Sequence, residues 1–328
     1  MITIEAAMTT TKGSDPSELT RDRASDPVIA AHSNRGGRWR TWLPGLLITL
    51  RPQQWSKNVL VAAAPLAAGN ITQPGVLGHT AIAFVAFCLA SSAVYCFNDF
   101  WDVEADRRHP RKRSRPLAAS RVPAPAVLVT AVVLAGAAIA IGTPNPLRIV
   151  IGVYLAANVA YTAGVKHQPV IELGFVASGF LLRAIAGGPA TGIPLSQWFL
   201  IVASFGSLFM VAGKRLSELV QLGDDAPSSR PILASYTQSY LRMVVAISAG
   251  VTVCAYALWA FEVGARHHGG FHWATLSIAP FVLALLRYAL DVDAGRAEEP
   301  EQILYRDRTL QVLGALWLVT FSLTALHG

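Results

Sequence analysis

Three oxygen-bearing side chains, Asn98, Asp102 and Asp106, recur at four-residue intervals just after a long apolar run. On a helix each such step adds about 40° of turn and about 6 Å of rise. The three therefore share one face, with Asp99 close to it at three residues before Asp102. Crowded carboxylates repel one another unless a cation sits among them. A hard divalent ion with oxygen ligands suits them, typically Mg²⁺ carrying phosphate groups. The run Arg107-Arg-His-Pro-Arg-Lys-Arg-Ser-Arg115 follows at once and points to an anionic second ligand. Basic residues beside a membrane span also fix topology or hold anionic lipid heads. Lys112, Arg113 and Arg115, nearest to a structured loop, are the candidates for phosphate recognition.

Two further groups carry charge into apolar surroundings. Tyr161, Lys166 and Glu172 straddle a short turn, and Arg183 follows eleven residues after Glu172. Lys166 and Glu172 also fit a plain role as interfacial anchors. A carboxylate and a guanidinium within one membrane segment are costly unless they are paired or face a polar cavity. The expectation is that both line one cavity, three turns apart and out of direct reach. Lys214, Arg215 and Glu218 form the last group; Lys214 and Glu218 are four residues apart, which also suits a simple intrahelical ion pair. Asp224-Asp225 reads as solvated. Asp291, Asp293, Arg306, Asp307 and Arg308 flank the final inner loop, as caps of the site or as surface charge. His267, His268 and His272 lie on the far side and receive no role.

These residues are carried by a chain of 328 residues, 53% hydrophobic and 14% charged. Soluble domains carry about a quarter charged residues, so the deficit indicates membrane. Nine stretches are long enough to span a bilayer: about 55–69, 75–98, 122–142, 146–164, 169–188, 194–213, 240–262, 270–290 and 309–327. Residues 1–40 are polar, lack the apolar core of a signal peptide, and read as a disordered cytoplasmic tail ahead of a transmembrane catalytic domain over 41–328. Of the 27 Lys and Arg, 21 fall in the segments that are inner if the N-terminus is cytoplasmic, against two outside. That asymmetry places the acidic cluster on the cytoplasmic face. It also explains the +7 formal charge without nucleic acid. The cysteines, Cys88, Cys96 and Cys254, are odd in number and match no metal spacing, so buried thiols without redox work are expected. The fold class is all-α, a polytopic membrane bundle. A dimer or trimer is left open, with no interface legible.

The run from Asn98 through Asp102 and Asp106 to His109-Pro-Arg-Lys-Arg-Ser-Arg-Pro116-Leu117 resembles the signature of the UbiA superfamily of intramembrane prenyltransferases. The likeness extends over most of the chain after Arg51. Within that family, Arg51-Pro-Gln-Gln-Trp-Ser-Lys57-Asn, Lys166-His-Gln-Pro-Val-Ile-Glu172-Leu and Gly179-Phe-Leu-Leu-Arg183-Ala-Ile-Ala-Gly-Gly188 look like the actinobacterial decaprenyl-phosphate phosphoribosyltransferase branch. The resemblance implies a nine-helix bundle with a cytoplasm-facing cavity, in a bacterial plasma membrane. It implies phosphoribosyl transfer from phosphoribosyl diphosphate to a polyprenyl phosphate, as a step toward cell-wall arabinan (arabinogalactan and lipoarabinomannan). It further implies Mg²⁺ on Asn98, Asp102 and Asp106, with Asp99 assisting, and substrate phosphates on Lys57, Lys166, Lys214 and Arg215. Glu172 would then orient a phosphate or a ribose hydroxyl, and Tyr161 would donate to an oxygen. Many members carry a second Asp-x3-Asp pair where this chain reads Lys214-Arg-Leu-Ser-Glu218. That departure puts a second metal in doubt and favours a donor with more negative charge. The competing readings are prenyl transfer to an aromatic acceptor, as in quinone or haem synthesis, and a transporter using the intramembrane charges.

Overall fold

The computed structural model describes residues 38–223, 230–266, 272–297, 303 and 306–327. The tail expected over 1–40 falls almost wholly outside these, as do Asp224-Asp225, His267 and His268. The chain divides after Thr41, and the unit from Trp42 onward holds the helical bundle.

Every regular element among the described residues is helical. Helix α1 (Arg38–Leu50) stops where Arg51 takes a left-handed conformation (φ 52°, ψ 59°) and Pro52 supplies no N–H. A 3₁₀ segment (Pro52–Ala62) then leads into the short α2 (Ala63–Ala67). The stretch 55–69 is therefore not one continuous α-helix. Pro52 ends the preceding turn, and Asn58, fully buried, ties the tighter 3₁₀ coil into the bundle. Next come α3 (Pro74–Trp101), α4 (Val103–Arg108), α5 (Ala124–Ile141), α6 (Asn145–Ala163) and α7 (Ile171–Thr191). The chain ends with α8 (Gln197–Leu222), α9 (Gln238–Arg266), α10 (Trp273–Asp293) and α11 (Arg308–His327). Seven of these helices, α3 and α5 through α10, are long and apolar enough to cross a membrane.

Side-chain exposure supports a bilayer. Val129, Val132 and Val133 on α5, Ile149 and Val153 on α6, and Leu283, Leu286 and Leu290 on α10 all point outward. Such continuous apolar faces are unstable in water and ordinary against lipid. Cys254 corrects an expectation. Cys88 and Cys96 are buried, but Cys254 is exposed, in an apolar groove with Trp198, Ile201 and Leu258. It faces lipid because its segment is apolar on all sides, so hydropathy did not distinguish inside from outside.

The core has two main bodies. One joins Val61 to α3, α6 and the far end of α7, with Phe87, Leu147, Ile151 and Ala186 at its centre. The other joins α8, α9 and α10 to the near end of α7, around Leu173, Leu216, Leu241 and Val292. Helix α7 thus belongs to both, and close packing at its far end is strict. A Cβ on Gly187 would lie 2.2 Å from the Val61 carbonyl oxygen, so only glycine lets the 3₁₀ segment approach.

Polar contacts show which helix ends share a side. Arg242 at the start of α9 meets Asp293 at the end of α10 (2.8 Å), and Arg287 of α10 meets Asp307 before α11 (2.6 Å). Asp291, buried, is closed by Arg296. Of the residues flanking the last inner loop, Asp293 and Asp307 tie helix ends together, and Asp291 closes the end of its own helix. At the opposite end Trp198 donates to Glu262, joining the start of α8 to the end of α9. Adjacent helices therefore alternate in direction. The ends of α3, α6, α8 and α10 and the starts of α7, α9 and α11 gather on one side.

Candidate active site

The acidic ladder sits where α3 hands over to α4. Asp102 is the one non-helical residue between them (φ −93°, ψ 9°), in a backbone region where active-site residues are over-represented. The helical course nevertheless continues, because Asp102 N–H bonds the Asn98 carbonyl (2.9 Å) and Asp106 N–H bonds that of Asp102 (2.8 Å). On this axis Asn98, Asp102, Asp106 and Asp99 fan over roughly 100° in that order.

Each edge of the fan has its own partners. At one edge Thr162 of α6 contacts the Asn98 side chain, and Lys166 reaches Asp102 at 2.6 Å. At the other, Arg115 bonds Asp106 (2.6 Å) and Asp99 (3.2 Å), and Arg51 bonds Asp99 (2.6 Å). Asp99 and Asp106 are buried, whereas Asp102 is a third exposed. Asp99 is thereby committed to two arginines. Asp102, at the middle of the fan and held by one partly exposed lysine, is the carboxylate open to a ligand.

The second half of the site is built on α7 and α8. Arg215 lies between two acids: Nε and Nη2 bond Glu172 at 2.9 and 3.1 Å, and Nη1 bonds Glu218 at 3.2 Å. Glu172 is 0% and Arg215 2% exposed, a paired arrangement that burial of charge requires. Glu218 also meets Arg230 (3.4 Å) and, more loosely, Lys214 (4.0 Å). The expected Lys214–Glu218 pair is thus the weaker contact, and Arg215 is the principal partner. Lys57 is among the charged neighbours of Lys214, and the Tyr161 side chain lies near Arg215.

Lys112 joins the halves. Its charged neighbours are Arg115, Asp106, Arg230 and Asp102. Burial, then the repulsion of Arg115 and Arg230, holds its ammonium below the ordinary lysine range against the opposing pull of Asp106 and Asp102. Arg113 stands exposed, with no part in this cluster.

Two residues to which sequence reasoning gave no role in the site belong here. Arg51, left-handed at the α1 break, reaches Asp99 across 48 positions. Arg230 closes Glu218 from the loop before α9. Neither carries a local pattern, since both act through contacts distant in sequence. Val170 is a third. It takes φ 66°, ψ −50° in a γ-turn closed by Ile171 N–H on the Pro169 carbonyl (2.7 Å), a strained state for a β-branched residue. Tyr236 accepts its N–H at 2.8 Å, which fixes the start of α7 and hence the place of Glu172.

Arg183 belongs elsewhere. Its guanidinium bonds Asn58 (2.8 Å), the Gly179 carbonyl (2.7 Å) and the Tyr154 hydroxyl (2.7 Å), and it stacks on the Tyr154 ring. Glu172 and Arg183 thus sit in separate polar clusters, which corrects the expectation of one shared cavity. Their three-turn spacing carries them from the first turn of the helix to its middle. Arg183 instead pins the 3₁₀ segment, α6 and α7 together.

Among the described residues no three His, Cys, Asp or Glu side chains converge to hold a metal by themselves. The donor set still fits Mg²⁺. That ion binds through one or two carboxylates and takes its remaining oxygens from substrate phosphate and water. Asn98, Asp102 and Asp106 offer hard oxygens on one arc, with basic side chains beyond them.

Comparisons with known proteins bear on the family and the fold. A decaprenyl-phosphate phosphoribosyltransferase of Mycobacterium tuberculosis is 50% identical over 291 residues, covering 87% of this chain and 95% of that protein. The Corynebacterium glutamicum protein of the same name is 46% identical over 280 residues, covering 84% of each. Among solved structures, a UbiA homologue from Archaeoglobus fulgidus bound to DMAPP and Mg²⁺ superposes with a TM-score of 0.66 at 14% identity, over 85% of this chain and 98% of that one. At that identity the likeness concerns the fold. Residues 59–319 match the UbiA prenyltransferase family, and the chain, a multi-pass membrane protein, belongs to it.

Proposed function

We propose that the chain transfers a 5-phosphoribosyl group from phosphoribosyl diphosphate to decaprenyl phosphate or a similar polyprenyl phosphate, releasing diphosphate. One observation carries this reading. Opposite the acidic ladder stands a basic half, in which Arg215 satisfies the charge of Glu172 and much of that of Glu218, so that Lys214 and Lys112 add positive charge beyond it. A donor with a diphosphate and a further 5-phosphate, meeting an acceptor that is itself a phosphate, needs such a surplus. A prenyl diphosphate and a neutral acceptor do not. The mycobacterial and corynebacterial relatives support the same substrate pair.

The chemistry is a displacement at the ribose anomeric carbon. The acceptor phosphate oxygen supplies the electron pair for the new C–O bond, and the pair of the breaking C–O bond leaves with diphosphate. A Mg²⁺ ion, when bound, neutralises charge on that leaving group. Asn98, Asp102 and Asp106 would hold it, and the negative field of the carboxylates would favour the positive charge that develops on the anomeric carbon. Lys166, which stands beside Asp102, would hold a phosphate oxygen of the donor. Lys214, Lys57 and Lys112 receive the remaining phosphates, and Tyr161 donates to an oxygen beside Arg215. The acceptor is already anionic at neutral pH, so no general base is needed. In this reading the excess of Lys and Arg in the inner segments supports a cytoplasmic N-terminus and a site at the cytoplasmic face of the plasma membrane, where the soluble donor is available, with nine spans carrying the C-terminus outside.

The test is incubation of purified protein with labelled phosphoribosyl diphosphate, Mg²⁺ and polyprenyl phosphate. Label enters the lipid fraction, and a chelator stops it. Absence of lipid label, together with prenylation of an aromatic acid from a prenyl diphosphate, overturns the reading.

Lys112 gives the activity a pH dependence. Only the protonated ammonium binds phosphate, and a lowered pKa means its proton leaves at lower pH than for an ordinary lysine. Donor kcat/KM, which reports the free enzyme, therefore falls on the alkaline side earlier than a free lysine would dictate. Lys112→Arg removes that limb, because guanidinium stays charged throughout. A pH–rate profile of the two proteins checks it; identical alkaline limbs would exclude Lys112.

A further inference from the structure

Thr162 presents a counting problem. Its hydroxyl is buried and has one proton, yet it lies within hydrogen-bond reach of two oxygens. One is the Asn158 carbonyl a turn earlier, at 2.9 Å; the other is Oδ1 of Asn98. One proton cannot serve both acceptors. The oxygen and nitrogen of an asparagine amide are distinguished by their hydrogen-bond partners, and exchanging them resolves the conflict. Thr162 then gives its proton to Asn158 and accepts an N–H from Asn98. The Asn98 carbonyl oxygen falls on the opposite, half-exposed side of the amide, with Asp102 one helical turn further on.

We propose that Thr162 is a positioning residue that turns the Asn98 amide so that it offers an oxygen, and not an NH₂ group, to the cation beside Asp102. The inference rests on the reading of Asn98, Asp102 and Asp106 as Mg²⁺ ligands. Before a cation binds, an asparagine free to rotate turns NH₂ as well as oxygen toward the site, and the NH₂ orientation repels Mg²⁺, so fixing the oxygen inward removes that cost. Outer partners that orient a metal ligand are typically worth about 10- to 100-fold in metal affinity. Thr162 reaches the site from α6, so sequence spacing around Asn98 gives no sign of it.

The experiment uses Mn²⁺ alone as a paramagnetic stand-in for Mg²⁺, titrated into the purified full-length protein and read by electron paramagnetic resonance. The wild-type protein binds Mn²⁺ and Asp102→Asn binds it much more weakly. If these two bind alike, the metal reading itself fails. If they differ, Thr162 is judged separately. Thr162→Val weakens Mn²⁺ about 10-fold or more, while Thr162→Ser, which keeps the hydroxyl, restores the affinity; Thr162→Ala supplies the same reading should the valine not fold. In an Asn98→Asp background, where a carboxylate offers oxygen on either side, Thr162→Val costs little. Wild-type affinity in Thr162→Val, or an equal loss in both backgrounds, overturns the proposal.

Discussion

Asp102→Asn lowers phosphoribosyl transfer on the order of 10²–10³-fold, the size expected when one preorganised charge is removed from a transition state. The protein keeps its wild-type thermal midpoint in detergent. The two halves of this expectation have separate grounds. Asp102 has one ionic partner, Lys166, and both side chains are partly exposed, 33% and 22%. Such pairs contribute only about 0–1 kcal/mol to stability. The substitution also preserves volume and an oxygen. What is lost is the negative charge at the middle of the fan, the one carboxylate of the ladder not already held by arginine. Excess Mg²⁺ recovers little, because a neutral amide does not supply that charge at any occupancy. Lipid-label assays at saturating substrates, with thermal unfolding in parallel, check both halves. Full turnover would remove Asp102 from the site.

The ladder was legible because its signal is local. Asn98, Asp102 and Asp106 lie within nine residues of one chain, and helical geometry alone places them together. The all-helical bundle was legible for a similar reason, since apolar runs of bilayer length leave few alternatives. The exceptions are instructive. The segment 55–69 has the composition of a span, but Pro52 and the buried Asn58 make it a 3₁₀ segment followed by a short helix. Hydropathy measures composition and is blind to that. Which residues pair with the ladder was equally hidden, even where the residues themselves, such as Lys166, had been noticed. Arg51, Thr162 and Lys166 reach it across 48 to 64 positions, and no periodicity relates them. Lys214 drew notice because Glu218 stands at the right helical interval. The stronger partner was Arg215, one residue on, because Glu172 of α7 meets that face of α8. Pairing across helices, not along one, decides which charge is buried.

Arg215→Leu is the substitution with the largest expected cost to the fold. It leaves Glu172, fully buried, without its cation, and Glu218 with only Arg230 and the distant Lys214. Removing one partner of a buried pair typically costs about 3–5 kcal/mol, because the remaining charge is uncompensated. A large fall in thermal midpoint follows, and activity with it. Replacing both partners separates the two effects. Glu172→Leu with Arg215→Leu removes positive and negative charge together, and paired apolar replacement is often neutral for stability. The double variant therefore regains most of the lost thermal midpoint, yet transfer stays low. The reason lies in what the pair positions. Glu172 and Arg215 fasten the start of α7 to α8, beside Lys214 on one helix and Lys166 just before the other. Freed of that link, the cations that meet the phosphates lose their fixed spacing. Equal recovery of stability and activity in the double variant would show that the buried pair serves the fold alone. A small effect of Arg215→Leu by itself would mean that Glu172 finds another cation. A shift in stability that the double variant corrects, joined to a loss of transfer that it does not, is the outcome that ties this departure from a second acidic pair to the handling of a more highly charged donor.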